Sequence, residues 1–141
     1  MILVDTNVIS EVMRRAPEAR VVSWLDSQVS ETLYLSTVSL AELLLGVALL
    51  PDGKRKRELG SALKYKALGL FGEKMLAFDE AAAAAYASVM SRTRAAGRSI
   101  GIADGQIAAI AKAHGLIVAT RDTEPFEAAG LRIINPWKKA G

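Results

Sequence analysis

Five short apolar runs of strand character punctuate the chain: Ile2 to Val4, Leu33 to Leu35, Met75 to Phe78, Leu116 to Ala119 and Leu131 to Ile134. The segments between them are longer and of helical period, and this alternation constrains the fold more than any other feature. Strands joined by helix-length crossovers pair in parallel, and a parallel sheet has to be covered on both faces. The pattern therefore predicts a three-layer α/β/α sandwich with a mainly parallel central sheet. Ile2-Leu3-Val4 lacks polar alternation altogether, so it reads as a strand buried on both sides.

The helical segments carry their own punctuation. Val8 to Gln28 is broken near Pro17, which suits the first turn of a second helix carrying Val21, Val22, Trp24 and Leu25, with Trp24 read as a core residue. A third helix starts at "SLAELLLGVALL" and stops before "PDG", and Arg57 to Leu70 reads as a fourth. Asp79 begins a fifth that ends at Gly97, a left-handed terminator. Ala103 to His114 runs to Gly115, with His114 as a C-terminal cap, and a short helix covers Glu124 to Ala129 before Gly130.

A chain of 141 residues is one domain's worth, here residues 1–141, and buries roughly 68 to 70% of its unfolded surface. The absence of cysteine excludes disulfides and thiolate metal sites and fits a reducing compartment. Asp5 follows only four apolar residues with no basic segment before them, which argues against a secretory leader. Val38 to Leu50, the longest apolar stretch, is interrupted by Glu42 and falls short of the ~20 residues needed to span a bilayer. No membrane association and a cytoplasmic location are expected. The net charge of +3 and pI near 9.3 favour polyanionic partners. Taken singly, the basic groups Lys54-Arg55-Lys56-Arg57, Lys64 and Lys66, Arg92, Arg94 and Arg98, and Lys138-Lys139 read as solvated faces.

Four acidic residues fall where chemistry is expected in such a sheet. Asp5 ends the first strand, Asp122 follows the fourth in "VATRD", Glu42 is placed in the first turn of the helix after the second strand, and Asp104 opens the helix before the fourth. Right-handed crossovers bring strand carboxyl ends and the starts of following helices to one edge. Asp104 joins them if the "RSIGIADG" connection returns to that edge. Each residue has a plainer reading. Asp5 and Asn7 can cap or turn the first helix, Ser39 to Glu42 matches a capping box, and Asp104 and Asp122 suit helix N-termini. The small neighbours Ala103, Gly105, Ala108 and Ala109 add to Asp104 a context that permits close backbone approach. If the four carboxylates converge, each pair ~4 Å apart repels by about 4 kcal/mol at an effective dielectric of 20, so the cluster needs protons or a cation. All-oxygen ligation points to Mg²⁺, or Mn²⁺, rather than zinc.

"LVDTNVISE", "VSLAELLLGV", "IADGQIAAIAKAHG" and "VATRDTEPFEAAGLRIINPW" resemble, in order and spacing, the PIN-domain ribonucleases, and look closest to the VapC and FitB toxins of bacterial toxin–antitoxin pairs. The resemblance covers essentially the whole chain. It implies an α/β/α fold, magnesium-dependent endonuclease activity on RNA, a homodimer, and a small antitoxin, itself DNA-binding, that blocks the site. By position, Asp5 and Asp104 match the principal metal ligands, and Glu42 and Asp122 the third and fourth acidic residues, ligating directly or through water. Thr6 and Thr120 match supporting hydroxyls, and Asn7 matches a bracing amide. Gly105 and Gln106 match variable positions. Arg121, beside Asp122, is the candidate for holding RNA phosphate.

Two other classes compete. A receiver-like phospho-acceptor domain would use Asp79, after "MLAF", but the first strand carries one Asp rather than an acidic pair and "LRIINPW" lacks a lysine. A catalytically silent module that keeps the fold for binding is the other alternative.

Overall fold

The structure, a computed structural model, describes residues 1–138, the side chain of Leu68 excepted. Strands β1 (Ile2–Val4), β2 (Leu33–Ser36), β3 (Met75–Leu76), β4 (Ile117–Ala119) and β5 (Ile133–Ile134) form one parallel sheet in the order β3-β2-β1-β4-β5. Helices α1 (Thr6–Val12), α2 (Ala19–Asp26), α3 (Thr37–Ala48), α4 (Lys54–Lys66), α5 (Glu80–Ala95), α6 (Ile102–His114) and α7 (Thr123–Ala128) cover it.

The side-chain alternation of β1 divides the core. Leu3 packs into one apolar cluster with residues of α5, α6 and α7, while Ile2 and Val4 join a second with residues of α1, α2 and α4. Successive strand residues point to opposite faces, so the unbroken apolar run of β1 is what a strand between two helical layers requires. Trp24 lies half-buried against the second cluster. No helix among the described residues is long and apolar enough to cross a membrane.

The chain moves from β1 outward through β2 to the edge strand β3, then returns past β1 to β4 and β5. The strand order therefore reverses between β1 and β4, and ligand sites of open parallel sheets lie at the carboxyl ends of strands flanking such a reversal. Asp79 follows β3, at the far edge, and its side chain accepts a 2.9 Å hydrogen bond from the Ala82 amide as the N-cap of α5. Asp79 is thus a helix cap away from the reversal point, and the receiver-like reading is set aside.

Several boundaries differ from the sequence expectation for local reasons. Ser36, not Ser39, caps α3, its Oγ accepting from the Ser39 amide at 2.9 Å. The Ser39–Glu42 capping box does not form, and Glu42 lies in the second turn of α3 rather than the first. Pro17 stands outside α2, ahead of the N-cap Glu18. Helix α4 begins three residues earlier than expected and gives way after Lys66 to a π-helical turn over Ala67–Phe71. The third and fifth strands are shorter than the apolar runs containing them. Gly97 and Gly115 take left-handed φ values of 74° and 65° just past α5 and α6, and His114 is the last residue of α6. Lys139 of the terminal basic pair lies outside the described residues.

The small residues around Asp104 have a packing role. A Cβ on Gly105 would stand 2.8 Å from Met90 Sδ and 3.1 Å from Tyr86 Cε2, both on α5. Any side chain at position 105 would have to displace the Met90 thioether and crowd the Tyr86 ring, so the glycine lets α6 lie close against α5 beside Asp104. Gly46 on α3 has nothing within 4 Å of its notional Cβ. Gly105→Val is expected to destabilise the protein by about 1–3 kcal/mol through overpacking. Gly46→Ala is expected to stabilise it by about 0.5–1 kcal/mol through backbone entropy. Urea unfolding of the two variants checks both signs.

Candidate active site

The register of β1 on β4 builds the site. Val4 pairs with Ala119, and the Asp5 amide donates to the Ala119 carbonyl at 2.9 Å, so the residues that follow, Asp5 and Thr120, emerge side by side. Thr120 is fully buried and Asp5 is 4% exposed. Thr120 Oγ1 donates to Asp5 Oδ2 at 2.8 Å, and Asp5 Oδ1 accepts from the Thr6 amide at 2.8 Å. Asp5 is also the N-cap of α1, so the capping reading and the site reading describe the same carboxylate. Thr120 Oγ1 in turn accepts from Asn7 Nδ2 at 3.2 Å and from the Asp122 amide at 3.1 Å. Asn7 Oδ1 accepts from the Arg121 amide at 3.4 Å.

Glu42, Asp104 and Asp122 share with Asp5 the lining of one cavity of ≈ 430 Å³ at this edge. Glu42 reaches it from α3, where its Oε1 accepts from Thr6 Oγ1 at 2.7 Å. Asp104 arrives on the first turn of α6. The "RSIGIADG" connection therefore does return to the carboxyl edge. Asp122 occupies the N-cap position of α7 without using its side chain as a cap, which leaves its carboxylate to the cavity. The four come from four different places in the chain, and the ion pairs among the described residues involve other carboxylates.

Crowding and burial show in the proton affinities. Burial pushes the Asp5 carboxyl up to about 6, with smaller upward pushes from Asp104 and Glu42, against the lowering effect of the Thr120 and Thr6 hydrogen bonds. The Asp104 carboxyl is also raised, first by burial and then by Asp122 and Glu42. Such a site favours either a proton or a cation.

The same cavity is also lined by Ser10, Glu11, Arg14, Arg121 and Trp137. Glu11 is 6% exposed and accepts from Arg14 Nη1 at 3.0 and 3.2 Å and from the Glu18 amide at 3.1 Å. These bonds, that of the Glu18 amide foremost, hold its carboxyl below the usual range. Arg121 stands over the Trp137 ring, 5.4 Å from its centre. Sequence reasoning gave no role to Glu11, Arg14 or Trp137. A signal was present: Asn7, Ser10, Glu11 and Arg14 recur at i, i+3, i+4 and i+7, a polar stripe opposite buried Val8 and Ile9.

This geometry gives the comparisons with known proteins their meaning. The PIN domain family model matches residues 2–131, and the chain belongs to that family. Among curated relatives, "VapC ribonuclease Y4jK" of Sinorhizobium fredii is 50% identical over 99% of this chain and 100% of its own length. "Toxin FitB" of Neisseria gonorrhoeae is 53% identical over 97% of this chain and 99% of its own. Among solved structures, that of FitAB bound to an IR36 DNA fragment superposes on 100% of this chain and 99% of that one, with a TM-score of 0.96 at 50% identity.

The Asp5 carboxyl titrates near 3.8 when unfolded and near 6 when folded, so the folded state binds the proton more tightly. Its contribution to stability is full below about pH 4 and is lost as the pH rises through about 6, on the order of 2–3 kcal/mol. Without divalent ions, the wild type is therefore expected to lose melting temperature relative to Asp5→Asn as the pH rises from 4 to 7. Thermal melts of both proteins across that range in chelator measure the difference.

Proposed function

We propose that this protein is an endoribonuclease toxin of a toxin–antitoxin pair, hydrolysing RNA phosphodiester bonds at the four-carboxylate cavity with a divalent metal ion. The observation that carries the reading is the convergence of Asp5, Glu42, Asp104 and Asp122 on one cavity at the strand-order reversal, none of them in an ion pair among the described residues. The names of the 50–53% identical relatives, a VapC ribonuclease and the FitB toxin, support the chemistry.

The residues fit a hard cation. Every available donor is an oxygen, and the raised Asp5 and Asp104 carboxyls mark negative charge that a cation would relieve. No three Asp, Glu, His or Cys side chains among the described residues form a ready-made metal cage. Mg²⁺ typically takes one or two carboxylates and keeps several waters. Asp5 and Asp104 would hold the ion, with Glu42 and Asp122 ligating directly or through water; Mn²⁺ could take the same donors. When bound, the ion supplies a more acidic water and charge stabilisation at the phosphate.

The chain's own residues do the rest. Thr120 and the Thr6 amide fix the two oxygens of Asp5, Thr6 Oγ1 orients Glu42, and Asn7 braces Thr120. Arg121, exposed at the rim, offers the phosphate backbone an attraction that the carboxylates oppose. The partner in this reading is a small DNA-binding antitoxin that lays a segment across the cavity; the DNA-bound FitAB structure supports the DNA-binding part of the reading. Residues 1–141 act as a single domain, homodimeric and cytoplasmic.

Cleavage of RNA in Mg²⁺ should be abolished by EDTA and fall by about 100-fold or more in Asp5→Asn and in Asp104→Asn. Thr120→Val should lose roughly 10- to 100-fold through misplacement of Asp5. Denaturing gels of an end-labelled RNA read all four. Undiminished cleavage in both Asp variants overturns the assignment.

A further inference from the structure

We infer that Arg15 and Arg55, with Arg14 beside them, form a phosphate-binding subsite outside the acidic cavity, which holds the RNA backbone at a distance from the bond being cut. The inference rests on the ribonuclease reading and adds to it a second point of attachment. Arg14 and Arg15 come from the turn after α1 and Arg55 from the first turn of α4, and with Ala16 they line one surface depression. All three arginines are exposed. Arg14 is offset by the Glu11 carboxylate at 3.0 Å, but Arg15 and Arg55 enter no ion pair among the described residues.

The cluster is held in place from both sides. Glu11 is buried, and its Oε2 accepts from Arg14 Nη1 and from the Glu18 amide, so one acid pins both ends of the turn that carries Arg15. On α4 the basic run is divided. Lys54 pairs with Glu58 at 3.8 Å and Lys56 with Asp52 at 3.3 Å, which makes them the solvated, compensated groups that the sequence suggests. Arg55, between them, goes instead to the arginine cluster. Three guanidiniums against one carboxylate leave an excess of positive charge that an anion would relieve.

The position of the cluster identifies the anion. A further depression has Ser10, Arg14 and Glu42 in common with the acidic cavity, and Arg14 and Arg55 in common with the cluster, so it adjoins both. Asp5 caps one end of α1 and the arginine turn follows the other; seven helical residues at ~1.5 Å each put roughly 10 Å between them. A strand with a phosphate at every nucleotide spans that gap, and the planar guanidinium fork matches phosphate oxygens. An acidic protein segment would meet the same arginines, but the adjoining carboxylates would repel it and offer it no reaction. The carboxylates also repel the RNA they would cut, so affinity has to be gathered elsewhere along the strand. Attraction at a phosphate remote from the reacting atoms is equal in the ground and transition states, and therefore acts on KM rather than kcat.

Fluorescence anisotropy of a labelled single-stranded RNA, in an Asp104→Asn background that slows cleavage, reads the affinity. Arg15→Ala with Arg55→Ala should weaken binding by about 10- to 100-fold, and the slope of log affinity against log salt should become shallower by about 0.7 for each arginine removed. In the otherwise wild-type enzyme the same pair should raise KM by a similar factor with kcat held within about twofold. Arg15→Lys with Arg55→Lys, which keeps the charge, should recover much of the loss, and matched thermal melts separate the effect from misfolding. Lys54→Ala, which removes an equal charge from the same turn of α4, should change KM by less than about twofold. As the RNA is shortened, the difference between wild type and the double Ala variant should vanish once the strand no longer reaches the cluster. An unchanged KM and salt slope in the double Ala variant, a difference that persists down to a dinucleotide, or lost binding of a polyglutamate peptide with none of RNA overturns the subsite while leaving the nuclease reading intact. A wild-type protein that neither binds nor cuts RNA overturns that reading as well.

Discussion

The pairing of β1 with β4 is the contact on which the rest of the site depends. It joins residues more than a hundred positions apart, and its register decides which side chains leave the sheet together. A slip of one residue would turn Asp5 and Thr120 to different faces and exchange Leu3 for its neighbours between the two core clusters. Burial on both sides makes that slip costly. The apolar content of three residues, Ile2, Leu3 and Val4, thereby fixes the placement of one carboxylate.

Around that carboxylate the protein accepts an unfavourable arrangement. Asp5 is nearly inaccessible to water, and its neighbours carry the same charge, yet its hydrogen bonds favour the ionised form. Burial outweighs them, as the raised proton affinity shows. Such local conflict is expected where a site is prepared for a ligand rather than for stability. The neighbouring Glu11 is the contrast: it is equally buried, but supplied with a guanidinium and a backbone amide, and its proton affinity moves the other way. Two buried acids on the two ends of one short helix thus have opposite roles, one open to a cation and one already satisfied.

Much of this was legible in the sequence because it rests on local patterns. The five apolar runs and the glycine stops at Gly97 and Gly115 placed nearly every element, and strand ends followed by acidic residues located Asp5 and Asp122. What escaped depends on competition between neighbours. Ser36 and Ser39 are both plausible caps three residues apart, and only the end of β2 decides for Ser36, which moves Glu42 out of a capping box and toward Thr6. The glycine at position 105 could not be read without knowing that Met90 and Tyr86 stand opposite it. Trp137 was visible as a residue, but its stacking on Arg121 requires the chain to close after β5, a tertiary event with no local signature.

The hydrogen bonds behind Asp5 also fix the direction of every proton among them. Backbone and amide nitrogens can only donate, so the Arg121 amide settles which end of the Asn7 side chain is oxygen, and the Asn7 and Asp122 nitrogens occupy both lone pairs of the Thr120 hydroxyl. Its single proton has nowhere to go but Asp5. The chain from Arg121 through Asn7 and Thr120 is therefore a one-way series of dipoles, each polarising the next and all turned with their positive ends toward the same oxygen. A hydroxyl that cannot rotate does not exchange partners when charge arrives in front of it, so the carboxylate meets its ligand in an environment that has no reorganising left to do.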